Sequence, residues 1–352
     1  MKQSSIDFLK AGRSMSLTRR EFIKSALVVG AAAGLADYAT TVLGQTPQVV
    51  TGLASGELPR RVLGRTKEQV TILGLGTAYI SNKGKDGGDE AKTRTLVEAA
   101  YEGGIRYFDT SPDYKDSEVR LGPALAGVRE RIFLVTKINP LTAEGAEKEF
   151  ANSLKLLKTD HVDLLLQHGV GCGGPNTDTK TILGKGGSLE FLIKAKKAGM
   201  TRFIGLSIHI PFGPGLALLN ASDEWDVVMP FVNYVSRAEI NAEKEVVERC
   251  RARDIGVTAM KVLGGDGQLA NDYDRAFRYT LSVPGVACAL VGCHDVDEVK
   301  RAVRAAKDFR PLTDKKMEET IKLGEEMFKA KSQKVSLLQR HYAADLGGVW
   351  RA

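Results

Sequence analysis

From residue 70 the chain alternates short apolar runs with amphipathic stretches. The apolar runs, rich in β-branched residues, cover 72–77, 106–109, 132–137, 162–168, 202–208, 226–233, 257–262 and 287–292. Stretches with apolar positions at helical spacing cover 89–102, 117–126, 143–157, 188–198, a short 214–220, 242–253, 273–281 and 296–307. Eight strands and eight helices in strict alternation predict a parallel sheet covered by helices. Eight such units within about 250 residues fit an α/β protein with a closed (β/α)8 TIM barrel better than a doubly wound sheet. Segments such as "VDLLLQ" and "ACALVG" are nearly all apolar, as when both faces of a parallel strand are buried.

Outside the repeat, "RRVLGRTKEQVTIL" reads as two short strands around a polar turn, an N-terminal β-hairpin suited to plug the barrel floor. Residues 314–330 read as an extra C-terminal helix and 331–352 as a tail. The longest irregular stretch, 169–187, would overhang the face where such barrels carry their active sites.

The C-terminal strand ends of a barrel converge on one pocket. Asp109 closes the second strand in "RYFDTSPDY", with Tyr114 just beyond it. Lys137 ends the third strand and His168 the fourth. A carboxylate buried at a strand end is costly unless paired, and Lys137 on the neighbouring strand is the partner that the alternation offers. An ammonium beside a phenol stabilises phenolate and brings the phenol closer to proton transfer at working pH. A histidine within hydrogen-bond reach orients and polarises a carbonyl. Such a set suits protonation of a carbonyl oxygen while hydride reaches the carbon. No side chain donates hydride, so a nicotinamide cofactor is implied. Taken singly, Asp109 reads equally as a helix cap, Lys137 as the Schiff-base lysine of an aldolase barrel, and His168 as a core histidine. The ordered set is what carries the chemistry. His168 with Cys172, and Cys293 with His294, lack the tight spacing of zinc ligands, so no metal is expected.

The N-terminus changes the picture of where the protein works. "SLTRREFIKSALVVGAAAGLA" joins a basic region containing Arg19 and Arg20 to an apolar stretch over 26–36. That order reads as a twin-arginine export signal over 1–44, followed by a linker over 45–59 and the barrel over 60–330. The expected location is the periplasm, or another exported compartment, with the twin-arginine export machinery as partner. The formal charge is +7, of which the first 44 residues contribute +3. No dense basic stripe with interleaved aromatics points to nucleic acid, and no apolar run after the leader is long enough for a stable membrane span. None of the four cysteines forms a CxxC pair, so no disulfide framework is indicated.

"RRVLGRTKEQVTILGLGTAY", "GIRYFDTSPDYKDSEVRLGPAL", "LVTKI", "VDLLLQHG", "IGLSIH" and "GVTAMKVLGG" together resemble the aldo-keto reductase superfamily over roughly residues 60–310. The resemblance implies a reductase that converts an aldehyde or ketone to an alcohol with NADP, or with NAD as the alternative. It assigns Asp109, Tyr114, Lys137 and His168 to the family's tetrad, with Tyr114 as general acid. It assigns cofactor contacts to Ser207, Asn233, Met260, Lys261, Gly264, Gly265 and Arg301. The sequence departs from the family at Ile208, Met229 and Met260, where Asn, Gln and an aromatic ring are usual. After Gly292 come Cys293, His294 and Asp295 instead of the basic residues that favour the 2′-phosphate, and Arg301 or Arg304 would have to compensate. Two other readings remain at this level: a cofactor-binding sensor or scaffold with little turnover, and a Schiff-base aldolase using Lys137.

Overall fold

The computed structural model describes residues 56–80, 90–172, 178–265 and 267–332. The expected export segment and the tail beyond residue 332 lie outside them. Strands β1 (Arg60–Val62) and β2 (Gln69–Thr71) pair antiparallel as the expected hairpin. Eight further strands form a closed parallel barrel. They are β3 (Leu73–Gly76), β4 (Tyr107–Asp109), β5 (Phe133–Ile138), β6 (Val162–Val170), β7 (Thr201–Ile208), β8 (Val227–Pro230), β9 (Gly256–Ala259) and β10 (Val286–Gly292). Strand β10 returns to pair with β3 in register from Ala289↔Leu73 to Gly292↔Gly76, which closes the ring.

Helices cover the outside: α1 (Glu90–Glu102), α2 (Ser117–Leu125), α3 (Ala143–Leu157), α4 (Thr179–Leu183), α5 (Ser188–Lys197), α6 (Gly213–Ala221), α7 (Arg237–Ile240), α8 (Glu248–Ala252), α9 (Tyr273–Ser282), α10 (Val296–Lys307) and α11 (Asp314–Ser332). Helix α3 buries Ala146, Phe150, Ser153 and Leu157, one stripe at helical spacing. The Thr142 hydroxyl accepts from the Gly145 N–H and caps its start. The helix expected over 242–253 begins as a π-helical turn, Glu243–Val247, and continues as α8. Helix α4 lies within the stretch expected to be irregular, and residues 173–177 of that stretch lie outside the described residues.

Two apolar layers result. The larger fills the space between strands and helices. The smaller lies inside the ring and contains Tyr107, Val135, Leu164, Leu166, Val227, Met229, Cys288 and Leu290. Within each strand these residues are two apart, as the pleat requires. Leu63 and Val70 of the hairpin close this inner core from below. At Gly205 an added Cβ would lie 2.0 Å from the Val227 carbonyl oxygen, so β7 and β8 approach only because that position lacks a side chain.

Candidate active site

Asp109 pairs in register with Val135, and Lys137 follows Val135 by two residues, so all three face the barrel interior. Lys137 Nζ donates to Asp109 Oδ1 at 2.8 Å, to Oδ2 at 2.9 Å and to the Thr110 carbonyl at 2.7 Å. Lys137 is 1% and Asp109 3% exposed, so the pair is almost wholly removed from water. Burial pushes the Asp109 carboxyl up and the Lys137 ammonium down, and each charge draws the other back toward its ionised form. The ammonium Nζ sits 4.7 Å from the centroid of the Tyr114 ring. An ammonium whose three hydrogens already meet a carboxylate and a carbonyl is poorly placed to become the neutral amine that a Schiff base requires.

His168 lies where the ladder between β6 and β7 shifts, between Gln167 and Val170, and β6 runs two residues past the expected end. Its Nδ1 faces Asp113 Oδ2 at 2.9 Å, Asn139 Oδ1 at 3.0 Å and Ser111 Oγ at 3.2 Å. A carboxylate and an amide oxygen around one ring nitrogen place the proton on Nδ1. Asn139 is itself oriented by Glu149, whose Oε2 accepts from the Asn139 backbone N–H at 2.7 Å and whose oxygens both accept from Nδ2 at 3.3 Å. Burial pushes the Glu149 carboxyl up, and the hydrogen bonds from Asn139 oppose that shift. The His168 and Tyr114 rings meet edge to face with centroids 6.0 Å apart. Asp109, Tyr114, Lys137 and His168 therefore come together at one rim of the barrel.

The opposite arc is differently built. Ser207 pairs in register with Met229, and its buried Oγ has no hydrogen-bond partner among the described residues. Asn233 is turned to the backbone: Oδ1 accepts from the N–H groups of Val235 at 3.2 Å and Ser236 at 2.8 Å, and Nδ2 donates to the Lys261 carbonyl at 3.0 Å. Met260 is partly buried against both apolar layers. Lys261 adopts a left-handed φ of 56°, and its Nζ lies 5.9 Å from the Phe231 ring centroid. Gly264, at φ 84°, forms the turn after it, with Gly265 next in the chain. Asp295 accepts from the Glu298 N–H at 2.8 Å as the cap of α10. Arg301 stands over the Tyr273 ring, 4.8 Å from its centroid, and lines an outer groove with Arg278, Arg304 and Arg310.

Two features of this arc bear on a nicotinamide cofactor. A buried hydroxyl without a partner, at the strand end that faces the mouth, suits an amide group. The left-handed Lys261–Gly264 turn suits close backbone approach by a pyrophosphate. The residues fit at these two points, while Asn233 contributes to the fold of the mouth through bonds already made. Among the described residues no three of His, Cys, Asp and Glu gather as a metal site.

The Aldo/keto reductase family pattern matches residues 72–276, more than half of the chain. The chain belongs to this family. Its similarity to the methylglyoxal reductase YeaE of Escherichia coli is 37% identity over 100 residues, covering 27% of this chain and 34% of that one. The chain spans from 34% to 55% of the lengths of three curated relatives that it matches. A crystal structure from Pseudomonas aeruginosa, of a protein assigned to the aldo-keto reductases, is 31% identical with a TM-score of 0.59, over 70% of this chain and 94% of that one. The aldo-keto reductase of Klebsiella pneumoniae in complex with NADPH shares the fold at 20% identity and a TM-score of 0.61, over 77% of this chain and 96% of that one.

In this aldo/keto reductase the four residues expected from the sequence to form a tetrad lie together, beside groups around His168 that the sequence reading did not name. Ser111, Asp113, Asn139 and Glu149 come from two loops and a helix. Asp113, four residues after Asp109 and beside Tyr114, was the one readable signal. His209 follows β7 by one residue, with its ring 6.1 Å from that of His168, centroid to centroid.

Proposed function

We propose that the protein is an NADP(H)-dependent oxidoreductase that reduces an aldehyde or ketone to an alcohol. The observation that carries this reading is the dry Asp109–Lys137 pair under the Tyr114 ring, beside a His168 whose Nδ1 is held by three acceptors. The NADPH complex of the Klebsiella relative and the methylglyoxal reductase name support the cofactor and the substrate class. The nicotinamide, when bound, supplies hydride to the carbonyl carbon. Ser207, Lys261, Gly264 and Gly265 are the residues assigned to hold the cofactor.

Tyr114 donates its phenolic proton to the carbonyl oxygen. The Lys137 charge stabilises the phenolate that remains, and Asp109 keeps Lys137 charged and in place. His168 orients the carbonyl, with Asp113 and Asn139 fixing its ring. Replacing Tyr114 by Phe should reduce kcat/KM by about 10²–10⁴-fold, the usual scale for a lost general acid, and leave cofactor affinity unchanged. Near-normal NADPH-linked reduction of a model aldehyde by Tyr114→Phe would remove Tyr114 from the mechanism.

The internally bonded Asn233 and the thioethers of Met229 and Met260 favour a second reading, a cofactor-binding sensor with slow turnover. A bound dinucleotide that never exchanges during assay would select it. We also propose export through the twin-arginine route, from the order of charged and apolar residues around Arg19 and Arg20. Changing both to Lys should retain the folded protein in the cytoplasm, and unchanged periplasmic accumulation would exclude the route.

A further inference from the structure

The outer groove gathers cations that the protein itself does not neutralise. It has a volume of about 550 Å³ and runs down the flank of the barrel between α9 and α10. Arg278 lines it from α9, Arg301 and Arg304 from α10, and Arg310 from the segment that follows. Among the described residues, none of these four guanidinium groups forms an ion pair with a carboxylate. Other arginines of the barrel are paired: Arg129 and Arg202 share Asp163 at 3.0 and 2.8 Å, and Arg253 meets Asp223 at 2.7 Å. Arg301 and Arg304 stand three residues apart on one face of α10, a spacing at which like charges repel.

Three of the four side chains are held in place. Arg278 Nε donates to the Arg310 carbonyl at 3.0 Å, Arg310 Nη1 donates to the Phe309 carbonyl at 2.7 Å, and Arg301 lies 4.8 Å from the Tyr273 ring centroid. Side chains ordered in advance lose less freedom when a ligand arrives. The planar fork of a guanidinium matches the oxygens of a phosphate group, and small-molecule sites span about 300–1,000 Å³. Two aspartates limit what fits. Helices α9 and α10 both return from the mouth toward the floor of the parallel barrel. Asp274 lies in the first turn of α9 and Asp308 follows the last residue of α10, so the groove carries an acid at each end. A long polyanion would be repelled at both ends, whereas a compact one meets only the arginines between them. Four arginines against two aspartates leave a net charge of +2. We infer that this groove is a binding site for a compact, multiply charged phosphate compound, such as a small pyrophosphate ester, on the flank of the barrel and separate from the mouth. The inference does not depend on the reductase reading.

The test is a calorimetric titration of the full chain with inorganic pyrophosphate at low ionic strength. Saturating NADP is present so that the Lys261–Gly264 turn does not compete for the probe. Pyrophosphate should bind at least about tenfold more tightly than sulfate, and Arg304→Gln should weaken it about tenfold, the factor that one charge-assisted hydrogen bond is worth. Arg304→Lys, which keeps the charge and loses the fork, should fall between. Arg304 is exposed, so both variants should unfold at the urea concentration of the wild type. A hexaglutamate peptide, longer than the space between Asp274 and Asp308 admits, should bind more weakly than pyrophosphate. Three results would each overturn the assignment. They are affinity within twofold of wild type in Arg304→Gln, pyrophosphate binding no tighter than sulfate, and tighter binding of hexaglutamate, which would make the groove a docking face for an acidic protein.

Discussion

The barrel buries a cation at each end, and the two are held in different ways. At the floor, Arg61 of the hairpin is fully buried with no carboxylate partner among the described residues. Its Nη1 donates to the carbonyls of Leu281 at 2.8 Å and Val286 at 2.7 Å, and the guanidinium lies 5.2 Å from the Phe309 ring centroid. Burial pushes it down to about 10, still charged at neutral pH. At the mouth, Lys137 is buried as deeply but meets a carboxylate with both oxygens. Carbonyl dipoles fix a delocalised charge in one place and serve to tie the hairpin to β10. A carboxylate partner sets the protonation state of the ammonium and allows it to act on a neighbour. Burial alone therefore does not distinguish the two cations; the chemistry of the partner does.

The contrast can be broken most directly at Lys137. Lys137→Met should lower kcat/KM by about 10²-fold or more and destabilise the fold by about 3–5 kcal/mol, because Asp109 is left buried and uncompensated. Adding Asp109→Asn should return much of the stability, measured by urea unfolding, and none of the activity. Recovery of both together would make the pair a purely structural device. At the floor the outcome should reverse. Arg61→Met leaves the carbonyls of Leu281 and Val286 without their donor, at a cost of about 1–3 kcal/mol, while kcat/KM stays within about twofold of wild type, a change of about 0.4 kcal/mol. A large kinetic defect in Arg61→Met would couple floor to mouth and dissolve the distinction.

The smallest effect concerns a buried carboxyl that belongs to neither cation. Glu118, on α2, is buried and accepts from the Thr136 hydroxyl at 2.6 Å, with the Ser153 hydroxyl also close enough to favour its charged form. Burial pushes this carboxyl above its ordinary range. The folded state therefore binds the proton more tightly than the unfolded chain. That stabilisation is complete at pH below the ordinary carboxyl range and is lost as pH rises through the raised value. Glu118→Gln should unfold at higher urea than wild type at pH 8, and the advantage should shrink on acidification toward pH 4. An advantage that does not change with pH would mean that Glu118 binds its proton equally well in the folded and unfolded chain, and would remove the upward shift.

The eight strand cores were legible because continuous apolar runs mark strands buried on both faces. Their ends were less so, for local reasons. Strand β8 was expected to reach Asn233 but stops at Pro230, whose nitrogen cannot donate to a ladder. Strand β9 was expected to reach Val262 but stops at Ala259, before Lys261 turns left-handed. The gathering of Asp109, Tyr114, Lys137 and His168 was legible because chemistry-bearing residues stood at the ends of runs. The orientation of His168 was not, because Asp113, Asn139 and Glu149 meet it only once β4, β5 and α3 have packed. The capping role of Asp295, one of three residues that stand where basic ones are usual, was also hidden: it starts α10.

The hairpin under the barrel has a consequence for traffic. Leu63 and Val70 stop the ring from below, and the inner core fills it up to the level of Ser207 and Lys137. Among the described residues the filled ring is closed below, so any well at its mouth opens on the side of the strand C-termini. Two molecules that share such a well depart in the reverse of the order in which they arrived. Whichever rests deeper waits on the one above it, so the residence time of the deeper guest is set by its neighbour as much as by its own contacts.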